Sequence, residues 1–320
     1  MKKFIVSLTL IMVVTVILFS CRKNEKLPVT EETYDSFVNA NKAPWQLFSV
    51  NAAQGGTIIG ARGTKITFPP NAFANMNNTI ATGTVAVSLQ EVLDKSQWVM
   101  EGVSTTTFTA PLVSGGMINI VARSVVDGTE LKAAAAMAIP TPSLVGVIRA
   151  EVPRLPNRPD ALLLFLPNPN VGVVGATTPL NWVPSQFPFT NTASTYVFQL
   201  PQFRWANCDA LYNIPGAKTT ITVTPDLSAV TNATEIKALL VFKNITTVIT
   251  LPWQNNIYQS YTSSITIGNT ADVVCTCKNG DGKLLFAVLP NTIFTANMNI
   301  TIKPVVTSVA VVQAYLNSIN

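Results

Sequence analysis

A period-two alternation of side chains restricts this chain to strands. Val85, Val87 and Leu89 alternate with Thr84, Ala86 and Ser88, and Ile66 and Phe68 alternate with Lys65 and Thr67. Side chains on successive strand residues point to opposite faces, so this spacing buries one face and leaves the other toward solvent. Further strand-like runs are Gly116 to Val121, Leu162 to Leu166, Thr195 to Leu200, Thr219 to Val223, Ala238 to Phe242, Val248 to Leu251, Ser264 to Ile267, Lys283 to Leu289 and Met298 to Lys303. Pro and Gly punctuate them at Pro69-Pro70, Gly115-Gly116, Pro140, Pro142, Pro167, Pro184, Pro215-Gly216, Pro225 and Pro290. Asn279-Gly280 lies between two apolar runs and predicts a hairpin with a primed turn. Helical spacing is weak and confined to residues 31–40 and 232–240. The expected fold is all-β, with two or three consecutive β-sandwich domains.

The N-terminus sets the compartment. Lys2 and Lys3 precede an apolar run from Phe4 to Phe19, and Leu18-Phe19-Ser20-Cys21 closes it in the order of a bacterial lipoprotein signal peptide. Cleavage before Cys21 and lipidation on it are expected. Residues 1–20 are then the signal peptide and 21–50 a polar tether carrying Arg22-Lys23-Asn24-Glu25-Lys26 and Thr30-Glu31-Glu32. Composition breaks near 137 and 210 divide the remainder into modules at 51–136, 137–209 and 210–320. The expected location is the cell envelope, anchored in the outer membrane. The basic residues around Glu25 favour the periplasmic face.

Composition excludes several functions. Loss of Lys2 and Lys3 with the signal peptide lowers the formal charge from +5 to +3, too slight and scattered for nucleic acid. Only 12% of residues are charged, so Thr, Asn, Ser and Gln must make much of the surface. The chain contains no histidine, which removes the commonest general base, the imidazole of Ser/His and Cys/His pairs, and the commonest transition-metal ligand. The densest acidic group, Glu91, Asp94 and Glu101, reads as an exposed turn after a strand. No catalytic residue, metal or cofactor is expected.

Gly55-Gly56-Thr57-Ile58-Ile59-Gly60, Gly63-Thr64-Lys65-Ile66-Thr67-Phe68-Pro69-Pro70-Asn71-Ala72-Phe73 and Gly83 to Glu91 resemble the opening of a ZU5-like β-sandwich. The similarity is closest to lipoproteins of Bacteroidetes-type bacteria. It continues through Ser104-Thr105-Thr106, Leu112 and Ser114-Gly115-Gly116-Met117, and Phe203-Arg204-Trp205-Ala206-Asn207-Cys208-Asp209 looks like a later segment of those proteins. The resemblance covers residues 51–210 and implies a non-catalytic binding or structural role. Some ZU5 modules precede a sandwich that cleaves itself at His-Phe-Ser; here Leu47 precedes Phe48-Ser49, so self-cleavage is not expected.

Two groups of residues are candidate sites. Cys208 paired with Cys275 or Cys277 would close a loop of about 70 residues, worth roughly 4 kcal/mol, in a compartment where disulfides persist; three buried free thiols are the alternative. Trp253, Tyr258 and Tyr261, interspersed with Gln254, Asn255, Asn256 and Gln259, combine aromatic faces with amides and suit a sugar, although loops and sandwich edges carry the same residues. Asn279-Gly280-Asp281-Gly282 lacks the repeated acids of a calcium loop and reads as a turn. The expected function is therefore that of a lipid-anchored envelope protein with a non-enzymatic interaction or structural role and an unknown protein or glycan partner. The alternatives are a glycan-binding surface lipoprotein and a fimbrillin-like pilus subunit that donates its apolar stretch from Ile300 to Leu316 to a neighbour.

Overall fold

Antiparallel pairing dominates the computed structural model, which describes residues 33–141, 143–169, 180–212, 214–254 and 257–320. Cys21 and the expected signal peptide lie outside the described residues. Among the described residues no helix is long and apolar enough to cross a membrane.

Two sheets enclose the first core. One runs through strands Trp45–Asn51, Thr84–Val92, Leu112–Ser124, Arg204–Leu211, Leu163–Pro167 and Trp182–Pro184 in that spatial order. The other runs through Phe189–Asn191, Thr195–Gln199, Arg149–Pro153, Lys65–Phe68 and Gly56–Ile59. The expected alternation is present: Val85, Val87, Leu89, Ile66 and Phe68 all point into this core, where Tyr196, Phe198, Ile118 and Ile120 meet them.

The expected break at 137 does not separate two domains. Arg204–Leu211 pairs with Leu112–Ser124, and Arg149–Pro153 pairs with Lys65–Phe68. Residues 137–209 thus supply strands to both sheets of the sandwich begun by residues 51–136. Either half alone would expose unpaired strand edges and half a core. The tether expectation also changes. Helix α1 (Tyr34–Asn41) and the Trp45–Asn51 strand occupy its last part, and α1 buries Tyr34, Phe37 and Val38.

The C-terminal sandwich begins after the expected break at 210. Its larger sheet has the order Thr247–Thr250, Thr234–Phe242, Thr270–Lys278, Leu284–Ile293, Val305–Val306, facing a four-stranded sheet that includes Thr222–Pro225 and Asn299–Ile302. Residues 232–240, weakly helical by spacing, are mostly strand. The unbroken Ala238-Leu239-Leu240-Val241-Phe242 run has both faces covered: Leu240 and Phe242 enter the sandwich core, while Leu239 and Val241 face a second apolar layer.

That layer joins the two sandwiches. It gathers α1, helix α2 (Lys95–Glu101), helix α3 (Val309–Ser318), Val92, Leu112 and Met117 from the first sandwich, and Val248, Val274 and Phe286 from the second. Residues Thr33–Asn320 accordingly form one compact unit. Beside it runs a polar seam. Thr105 N–H donates to the Val248 carbonyl at 2.8 Å, Ser114 N–H to the Thr246 carbonyl at 2.9 Å, and the Thr247 hydroxyl to the Leu112 carbonyl at 2.7 Å. Ser104, Thr105 and Ser114 are fully buried; the Ser104 hydroxyl accepts from Thr250 N–H at 3.2 Å and the Thr105 hydroxyl from Val248 N–H at 2.9 Å, replacing water for backbone groups that would otherwise be orphaned.

Candidate functional site

The aromatic–amide segment folds as a hairpin at the margin of the C-terminal sandwich. Trp253 pairs with Tyr258, Tyr258 with Val223, and Val223 with Ile300. Residues opposite one another in a sheet share a face, and Val223 and Ile300 lie in the core. Trp253 therefore ends an inward-facing row, and its 50% exposure reflects its position on the edge strand. Its ring centroid lies 4.8 Å from that of Tyr258, whose hydroxyl donates to the Ile236 carbonyl at 3.0 Å. Burial pushes Tyr258 up to about 12. Tyr261 packs edge-on against Phe108 with centroids 4.9 Å apart. Trp253 and Tyr258 thus pack on each other, while Tyr261 packs apart from them on Phe108. Asn255 and Asn256 lie outside the described residues.

The cysteines do not pair. Cys208 sits in the core of the first sandwich and Cys275 in that of the second, with Cys277 two residues further along the same strand; all three are free and buried. A disulfide needs Cα atoms within about 7 Å, and thiols facing separate cores cannot meet it without unfolding. Burial raises Cys208 well above its ordinary value, Cys275 to about 12 and Cys277 to about 11, so all remain protonated and unreactive. A thiol alkylator is expected to leave the three untouched in the native protein and to label all three after unfolding without reductant. Fewer than three labels in the unfolded, unreduced chain would mean that a bridge forms.

The acids also differ from their expected exposed turn. Glu91 is 2% exposed and accepts from Arg62 N–H at 2.8 Å, Thr64 N–H at 2.8 Å and Gln46 Nε2 at 2.9 Å. It fills the turn from Gly60 to Thr64 so closely that a Cβ on Gly60 would lie 2.4 Å from its carboxylate. Asp94 caps α2 and pairs with Arg62 at 2.7 Å. Glu101 accepts from Gln90 Nε2 at 2.6 Å and is raised by burial. Each carboxylate has its own structural partner, so they do not form a facing acid–base pair.

Sequence reasoning missed the buried and half-buried ionisable groups near the junction of the sandwiches. Lys95, on α2, donates to the Phe242 carbonyl at 3.1 Å, and Lys237, in the second sandwich, donates back to the Met100 carbonyl at 2.9 Å. Burial lowers both amines to about 8. Arg158 lies 5.2 Å above the Trp98 ring and donates to the Leu93 carbonyl at 2.5 Å and the Ser114 carbonyl at 3.2 Å. Asp209, fully buried, accepts from Asn207 Nδ2 at 2.5 Å, while Ser114 Oγ bonds Asn207 Oδ1 at 3.0 Å. The only sequence signal for this cluster was the Asn207-Cys208-Asp209 segment. Among the described residues no three metal-ligating side chains cluster.

The C-terminal stretch is packed within its own chain. Asn299–Ile302 pairs in parallel with Thr222–Pro225, and Ile302, Val312 and Leu316 are buried. No protein family, curated protein or solved structure matches the chain.

Proposed function

We propose that the chain is a lipid-anchored cell-envelope protein, ZU5-like in its first sandwich, with a non-enzymatic interaction or structural role. The Leu18-Phe19-Ser20-Cys21 sequence supports the anchor, outer-membrane and facing the periplasm. The single observation that carries the role is how the reactive side chains are used. Glu91 holds a turn, Asp94 caps a helix, Asp209 belongs to a buried network and the three described cysteines are buried and free. The apolar layer and polar seam support a rigid two-sandwich body on a short leash, suited to presenting fixed surfaces. Against the pilus-subunit alternative stands the packing of the stretch it would donate: Asn299–Ile302 pairs with Thr222–Pro225 of its own chain, and Val312 and Leu316 are buried.

Cys21→Ala tests the anchor. The variant is expected to leave the detergent phase and to lack the mass of the acyl chains. Unchanged partitioning and unchanged mass would overturn the anchored reading.

A further inference from the structure

We infer that the outer face of the first sandwich, at its terminal strand Trp45–Asn51, seats on the lipid surface that holds the acyl anchor, with Trp45 and Leu47 entering the headgroup region. The inference rests on the anchored reading above and adds the surface through which the folded body meets the bilayer.

Strand alternation decides which side chains are offered. Phe48 and Val50 turn into the first core, so Trp45, Leu47 and Ser49 stand on the opposite face. Trp45 is 50% exposed and Leu47 75% exposed. Cross-strand pairing extends this face from Leu47 to Ser88 and Val121, and from Ser49 to Ala86, all of them uncharged. Arg123, the residue paired with Ala86, is the first charge met, and it lies 3.9 Å from Glu130. The Trp45–Asn51 strand ends its sheet and itself carries no charged residue. Terminal strands are ordinarily guarded by charge, a bulge or a covering element. This one turns an indole and a leucine outward instead, and contiguous apolar surface of that kind marks a contact site.

Chain length argues that the contact is the bilayer. Thr33 caps α1, and α1 with the residues up to Trp45 carries the chain at most about 26 Å further. Cys21 precedes Thr33 by twelve residues, a length that spans up to about 40 Å. The anchor and the Trp45 face are therefore within reach of one bilayer, and a short covalent link keeps the effective concentration of such a surface high. Contacts too weak to hold a free protein then suffice. The side chains fit the target: an indole joins an apolar ring to one N–H and is favoured at membrane–water interfaces, and Leu47 adds apolar area. Arg22, Lys23 and Lys26, next to Cys21 in sequence, are drawn to anionic headgroups. Trp253 is equally exposed, but its row turns into the second core, which makes it the internal control.

Tryptophan emission tests this, with the exported protein reconstituted into vesicles of phosphatidylethanolamine and phosphatidylglycerol, with and without bromine on the acyl chains. Bromine quenches rings that reach the lipid. The wild type should lose emission on the order of one tryptophan's share among its five. Trp45→Phe should abolish that loss, and Trp253→Phe should leave it unchanged. Leu47→Asp, a second variant at an exposed position, should reduce the loss severalfold without moving the melting temperature. A protein that carries the acyl mass and floats with the vesicles but shows no loss, or keeps the loss in Trp45→Phe, overturns the inference and leaves the anchor standing. A protein with neither acyl mass nor vesicle binding overturns both. A dimer in detergent that Leu47→Asp disperses, together with no quenching in vesicles, assigns the face to a second copy of the chain and also overturns the inference.

Discussion

Replacing Trp98 with alanine is expected to destabilise the protein by about 3–5 kcal/mol, the range for a fully buried large aromatic. The indole lies at the centre of the layer joining the sandwiches, is fully buried, and donates from Nε1 to the Val92 carbonyl at 2.8 Å. Truncation would leave that carbonyl unpartnered, remove the ring beneath the Arg158 guanidinium and open a void between α2 and the second sandwich. Trp98→Phe keeps most of the volume but loses the hydrogen bond and should cost about 1–2 kcal/mol. Urea unfolding followed by circular dichroism measures both. The wild type should unfold in one transition because the sandwiches share a core, whereas Trp98→Ala should lower the midpoint and begin to separate the transitions. A cost below about 1 kcal/mol would show that the layer is a loose contact rather than a core.

The layer also marks where sequence reading stops. Val85 to Leu89 and Lys65 to Phe68 were legible because each strand has one buried face, and a period of two records that directly. The interleaving of residues 51–209 was not legible, because pairings such as Ala206 with Ile118 join residues far apart along the chain, and periodicity does not encode strand order. Helix α3 begins Val309-Ala310-Val311-Val312, a β-branched run of modest helix propensity; it is helical while burying Val312 and Leu316 in the shared layer. At Asn279-Gly280 the pairing was readable and the turn was not. The last pair is Lys278 with Leu284, and the loop between them uses Asn279 Oδ1 to accept from Asp281 N–H and Lys283 N–H, with Gly282 at φ 78°. For the aromatic segment, residue types were readable but their direction was not, since that depends on the register across Tyr258, Val223 and Ile300.

Asp209→Asn is expected to stabilise the protein at pH 8 and to give little or no gain at pH 4. Burial raises the Asp209 carboxyl well above its ordinary 3.8, against the opposing pull of the Ser114 hydroxyl and the Arg158 charge. Two of the Arg158 N–H groups are directed at the Leu93 and Ser114 carbonyls, so the guanidinium is not held by this carboxyl alone. The folded state therefore keeps a proton that the unfolded chain releases above about pH 4, and stability falls as pH rises from the ordinary value toward the folded one. Asparagine cannot ionise and still accepts from Asn207 Nδ2, so it removes that loss. The other ionisable groups named at this junction, Lys95 and Lys237, titrate near 8 and are common to both proteins, so the difference between variant and wild type isolates residue 209. Each kcal/mol gained should raise the melting temperature by about 2–4 °C for a domain of this size. The competing arrangement is an ionised Asp209 paired with Arg158, and it predicts the opposite sign, because removing one partner of a buried ion pair typically costs about 3–5 kcal/mol. Melting temperatures of both proteins between pH 4 and pH 8 decide between them: a gap that opens in favour of asparagine with rising pH requires a protonated acid between the sandwiches, and a loss near neutrality that shrinks toward pH 4 requires the ion pair.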